Sequence, residues 1–133
     1  MTLLEQAIAV APNNAELYDV RGILYQSQKK NDEAQADFEK AVSLNPDYMK
    51  AQLDLGRVLY AKAVAIEENA GTLDNAAYNK LREDQIDPLL KQAVPYLENA
   101  LNNEQTESDA RRLLRSIYYT LDDEANLKRI EAM

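Results

Sequence analysis

Apolar positions recur along most of this chain at helical spacing, and short polar turns divide them into segments. In NDEAQADFEKAVSLNP, Ala34, Phe38 and Ala41 fall at i, i+4 and i+7 and mark one face of a helix. Asn31 or Asp32 is placed to cap its first turn, and Pro46 stops propagation after Leu44. The opening stretch LLEQAIAVAPNN carries nearly the same phrase 34 residues earlier. Leu4 answers to Phe38, Glu5 to Glu39, Ala7 to Ala41, Ile8 to Val42, Val10 to Leu44 and Pro12 to Pro46. Gly22 and Gly56, Leu24 and Val58, and Tyr25 and Leu59 keep the same offset. A glycine inside a helix costs about 1 kcal/mol relative to alanine, so two in register imply that a second helix approaches closely there. Small residues at Gly22 and Ala34 therefore predict a helical hairpin crossing at the short end of the usual range of about 8–10 Å.

The next unit starts at Met49 and keeps Leu55, Gly56 and Leu59, but its second helix comes late. Ala93, Leu97, Glu98, Ala100 and Leu101 match Ala34, Phe38, Glu39, Ala41 and Val42 only if 25 additional residues separate the two helices. MKAQLDLGRVLYAKAVAIEENA is expected to run as one helix to about Asn69 and to break at Gly71. Asp74 caps a return helix carrying Leu73, Ala77 and Leu81, so that residues 62–86 form an antiparallel arm. Asp87-Pro88 predicts a stop and restart, and Pro95 a milder kink. Beyond the polar NNEQTES, Leu114, Ile117, Tyr118 and Leu121 define one more amphipathic helix, followed by the short helix of DDEANLKRIEAM.

Residues 15–48, with Tyr18, Gly22, Tyr25, Ala34, Phe38, Ala41 and Pro46 at their spacings, closely resemble a tetratricopeptide repeat. Arg21 departs from the pattern, which usually has leucine there. The resemblance implies an all-α fold: a right-handed superhelical array of antiparallel helix pairs, an α-solenoid of about seven helices. The expected organisation of the single domain is a second helix of a truncated repeat (1–12), a complete repeat (15–48), a repeat with the inserted arm (49–103) and a degenerate or capping repeat (107–133). The opening helix would then lack its own first helix, expose Leu4, Ile8 and Val10, and belong to a section of a longer array. An interrupted repeat and the phrase VPYLENAL look similar to bacterial members of the family.

The resemblance further implies a protein-interaction module whose concave wall comes from the first helix of each pair. Carried over position by position, that wall is Glu16, Asp19, Ile23 and Gln26 from one repeat and Lys50, Leu53, Arg57 and Tyr60 from the next, with Tyr48 beside them. This groove is expected to be acidic at one end and basic at the other. Family members that clamp a chaperone's C-terminal carboxylate present lysine, asparagine and arginine on successive inner helices. Here Glu16 and Asp19 stand in that region and oppose such a ligand, so the expected partner is a protein or peptide segment lying across Arg57 and Tyr60.

Composition narrows the alternatives. Three glycines and four prolines among 133 residues favour helix over strand. A formal charge of −8 argues against nucleic acid or anionic lipid as partner, since both require a cationic face. No apolar run approaches the ~20 residues that span a bilayer, so membrane insertion is not expected. The N-terminus lacks the charged-then-apolar form of a signal peptide, and the compartment stays open. Histidine and cysteine are absent, and the serines and threonines sit in no nucleophile motif. Neither ENAGTLDN nor LDDEAN has the ligand spacing of a calcium loop. The reading is therefore of a scaffold without catalytic residues, cofactor or metal. A second reading gives the arm at 62–86, or the opening helix, a role in self-association.

Overall fold

A computed structural model describes all of residues 1–133 and is helical throughout. The elements are α1 (Thr2–Val10), α2 (Ala15–Ser27), α3 (Asn31–Leu44), α4 (Met49–Asn69), α5 (Asn75–Leu81), a π turn (Arg82–Ile86), α6 (Asp87–Ala100), α7 (Glu107–Thr120) and α8 (Glu124–Glu131). Because α5, the π turn and α6 run on without interruption, the chain forms seven rods, as expected of an all-α repeat fold. Neighbours in sequence pack as α2 on α3, α4 on α6 and α7 on α8, while α3 on α4 and α6 on α7 join the hairpins.

The first two hairpins, α2 on α3 and α4 on α6, are each set by a large side chain seated on a glycine. A Cβ on Gly22 would lie 2.5 Å from Phe38 Cε1, and a Cβ on Gly56 would lie 2.5 Å from both Leu97 Cδ2 and Cγ. Any other residue would push these helices apart, which is the physical content of the repeated glycine. Phe38 and Leu97 are fully buried in a continuous core that also holds Leu55, Leu59, Leu114 and Ile130. Outside the hairpins, Tyr18 donates to the carbonyl of Pro12 at 2.8 Å, and the buried Thr106 hydroxyl donates to Ala100 O at 2.6 Å. These two bonds tie down the α1–α2 and α6–α7 turns.

Several local expectations change. Asn31 and Asp32 do not cap α3: Lys30 occupies the cap position without a side-chain bond, because Lys29 turns the chain with φ of 61° and brings Asn31 in as the first helical residue. Asp74 does cap α5, accepting from Ala77 N at 2.8 Å, and Gly71 ends the preceding segment with φ of 67°. Asp87-Pro88 does not break the rod. Pro88 has no N–H and its ring crowds the carbonyl one turn back, and the wider π turn just before it, closed by Asp87 N–H on Arg82 O, accommodates both defects.

In α1, Ile8 is buried and Leu4 half-buried against Ala15, Tyr18 and Ala41, contrary to expectation, while Val10 is exposed as expected and Leu3 is exposed beside it. The difference arises because α1 packs on α2, where Ile8 joins a small core with Ala15, Tyr18, Ala41 and Ala51. In the arm, Ala63 and Ile86 are buried and Ile66 and Leu81 pack against the core, whereas residues 71–77 are exposed. Lys62 reaches back to α3, 2.9 Å from Asp32 Oδ1 and 2.8 Å from Gln35 Oε1. The base of the arm thus extends the core, and only its tip stands free.

Gly56→Ala is expected to destabilise the fold by about 1–3 kcal/mol, although alanine would add up to about 1 kcal/mol in an open helix interior. Urea unfolding measures the change, and a more stable Gly56→Ala protein would show that Leu97 does not need the glycine.

Candidate protein-binding wall

The first helices of the pairs, α2, α4 and α7, lie side by side, with α4 touching both others. The 34-residue spacing brings Glu16 and Lys50, Ile23 and Arg57, and Gln26 and Tyr60 to equivalent positions on α2 and α4. Glu16, Ile23 and Lys50 are exposed, and Gln26, Tyr48, Arg57 and Tyr60 are half-buried. Two of the expected wall residues are not at the surface. Leu53 belongs to the hydrophobic core, and Asp19 is buried completely beneath Lys50, because α4 crosses close enough to α2 to cover both.

Charge along the wall is paired instead of graded from acidic to basic. Lys50 Nζ lies 2.9 Å from Asp19 Oδ2 and 2.9 Å from Asp54 Oδ2. Arg57 joins Asp54 Oδ1 at 3.2 Å to Asp109 Oδ2 at 3.4 Å, and Arg112 meets the other oxygen of Asp109 at 2.9 Å. A ladder of alternating charges therefore runs from α2 across α4 to α7. Its cations are already satisfied, so an acidic ligand would have to compete with Asp54 and Asp109 for Arg57. The expected wall omits Asp54 although its spacing, four residues after Lys50 and three before Arg57, is a helical one that the sequence shows, whereas the link from Arg57 to Asp109, 52 residues away, has no local signal.

Arg21 was the one departure from the repeat pattern, and it has a partner of its own. Its guanidinium makes a two-pronged pair with Asp37 on α3, both bonds 2.8 Å, and its carbon lies 5.7 Å and 5.9 Å from the Tyr18 and Tyr25 ring centres. The hydrogen bonds to Asp37 push the Arg21 guanidinium further up from its ordinary value. The pair replaces leucine packing with a geometrically fixed bridge inside the hairpin.

Residues 20–48 match the family model described as tetratricopeptide repeat, a span that contains Gly22, Phe38 and Pro46. The chain is also 32% identical over 110 residues to the small glutamine-rich tetratricopeptide repeat-containing protein 2 of Saccharomyces cerevisiae. Both findings support the tetratricopeptide repeat family. The match covers 80% of this chain and 31% of the yeast protein, so the chain spans about a third of the curated relative it matches. With the all-helical fold, they support a protein-interaction module of helical repeats.

Asp54→Ala is expected to cost about 1–3 kcal/mol, since it strips a partner from both Lys50 and Arg57 beside the buried Asp19. Asp109→Ala, at the open end of the ladder, should cost less than about 1 kcal/mol. Equal losses in urea unfolding would mean that the ladder does not act through Asp54.

Proposed function

We propose that this chain is a non-enzymatic scaffold that binds a protein or peptide segment along the wall formed by α2 and α4, as part of a longer protein. The observation that carries this reading is that two matched first helices are held side by side by Lys50 while Ile23 and Arg57, at equivalent positions, and Tyr60 one turn on stay accessible. The ladder keeps these side chains in fixed places before a partner arrives, which lowers the ordering cost of binding. Tyrosine and arginine are the side chains that most often dominate such contacts. Because Arg57 is already paired with Asp54 and Asp109, the partner engages its exposed face and the Tyr60 ring more readily than it would supply a competing carboxylate. A C-terminal carboxylate ligand is disfavoured for the same reason, with Glu16 adding like charge at the open end. The 25-residue insertion between Gly56 and Leu97 then serves to lengthen its own repeat.

Self-association through the arm is the second reading, and the exposed Leu73 at its tip is the observation in its favour. No helix is long and apolar enough to cross a membrane.

Crosslinking in cells expressing the full-length parent, followed by mass spectrometry, identifies what the wall holds. Arg57→Glu with Tyr60→Ala should reduce capture by about tenfold or more, and so should Ile23→Asp, which disturbs no ion pair. Leu73→Asp at the arm tip should leave capture unchanged. If only Leu73→Asp reduced capture, the contact would belong to the arm and the wall assignment would be wrong.

A further inference from the structure

Asp19 is the most completely buried charged residue of the wall, and its Oδ1 has no hydrogen-bond partner. Its other oxygen receives Lys50, but that ammonium is shared with Asp54, whose side chain is only 4% exposed. Two carboxylates thus lie against one lysine at the line where α2 meets α4. Asp54 has a further cation in Arg57, which in turn is held by Asp109 of α7. Asp19 has no second donor. Ionised, it leaves a charged oxygen buried without partner, an arrangement that costs free energy whatever the pairing on its other side. Protonated, it sheds that charge and hydrogen-bonds to the Asp54 carboxylate.

We propose that Asp19, Lys50 and Asp54 form a proton-operated joint between α2 and α4, closed while Asp19 carries a proton and loosened when it ionises. The groups that face this joint are Glu16 and Asp19 from α2, Tyr48 from the turn before α4, and Lys50, Asp54 and Arg57 from α4, with Asp109 of α7 one bridge away. Asp54 is acidic and works against ionisation of Asp19; Lys50 works for it. Burial of Asp19, then its hydrogen bond and repulsion from Asp54, outweigh Lys50 and push the Asp19 carboxyl up to about 7 from the ordinary 3.8. A folded value above the unfolded one means stability that is fully present below pH 3.8 and is lost as pH rises through about 7. The joint therefore acts between about pH 3.8 and about 7, and it lies directly under the helices that make the wall. It is a property of the fold and does not depend on which partner the wall holds.

The test is a carbon-13 carboxyl titration of aspartate-labelled protein from acid to alkaline pH, with amide hydrogen exchange of α2 and α4 corrected for its intrinsic pH dependence. One aspartate should titrate near neutrality in the wild-type protein and be missing in Asp19→Asn. Protection of the α2 and α4 amides should fall as pH rises from about 3.8 to about 7 in the wild type, by about tenfold for each pKa unit between the closed and loosened forms, level off above that, and stay level throughout in Asp19→Asn. Lys50→Met, which leaves the acid pair in place, should move the midpoint upward. Titration of every aspartate in the ordinary acid range, or a midpoint unmoved by Lys50→Met, would overturn the joint. A neutral midpoint with unchanged protection would overturn its mechanical role.

Discussion

The structure depends on two helix crossings that only glycine permits. Gly22 receives Phe38 and Gly56 receives Leu97, each so closely that an added Cβ would lie 2.5 Å from a side-chain carbon. Interiors packed this tightly transmit changes of shape, so the sockets set the spacing of the hairpins and, through it, the position of every side chain on the wall. The second hairpin is longer than the first. The sockets stand 34 residues apart, while their occupants, Phe38 and Leu97, stand 59 apart. The surplus is taken up in helix: α4 continues to Asn69, Gly71 and Asp74 turn the chain, and the π turn at Arg82–Ile86 resets the register before Leu97 arrives. The longer rods bury Ala63 and Ile86 at their base, so they enlarge the core as well as the outline.

The electrostatic design follows from the same geometry. Once α4 is held close to α2, Asp19 is covered, and the ladder through Lys50, Asp54, Arg57 and Asp109 fixes the lateral registry of three helices. Ion pairs of this kind often contribute little net stability, because desolvation offsets attraction. Their value here lies in registry: they hold the first helices in one arrangement and leave the wall's apolar and aromatic members, Ile23 and Tyr60, accessible. Arg21 plays the matching part inside a hairpin, where its two bonds to Asp37 fix α2 on α3.

Much of this architecture is legible in the sequence because a repeat states its packing twice. The glycines, Phe38, Leu97, the end of α3 before Pro46, the cap at Asp74 and the break at Gly71 all follow from local chemistry or from the offset itself. Other features depend on what lies across the chain. Asp19 and Leu53 occupy positions that face outward in the idealised repeat, and their burial follows from how closely α4 crosses α2. The pairing of Arg57 with Asp109 joins residues 52 apart and has no local signature. At Asp87-Pro88 the sequence announces a defect in the helix but not its form, since a break and a π turn both relieve a proline.

If the glycine sockets govern the fold, local stability should be greatest around them. Native-state hydrogen exchange measures this residue by residue. The slowest amides are expected in α4 from Leu55 to Leu59 and in α6 around Leu97, with α3 around Phe38 next, and with α1 and the arm tip at residues 71–77 exchanging fastest. Greatest protection in α1 or the arm tip, with the helices around Gly56 and Leu97 opening early, would contradict the account.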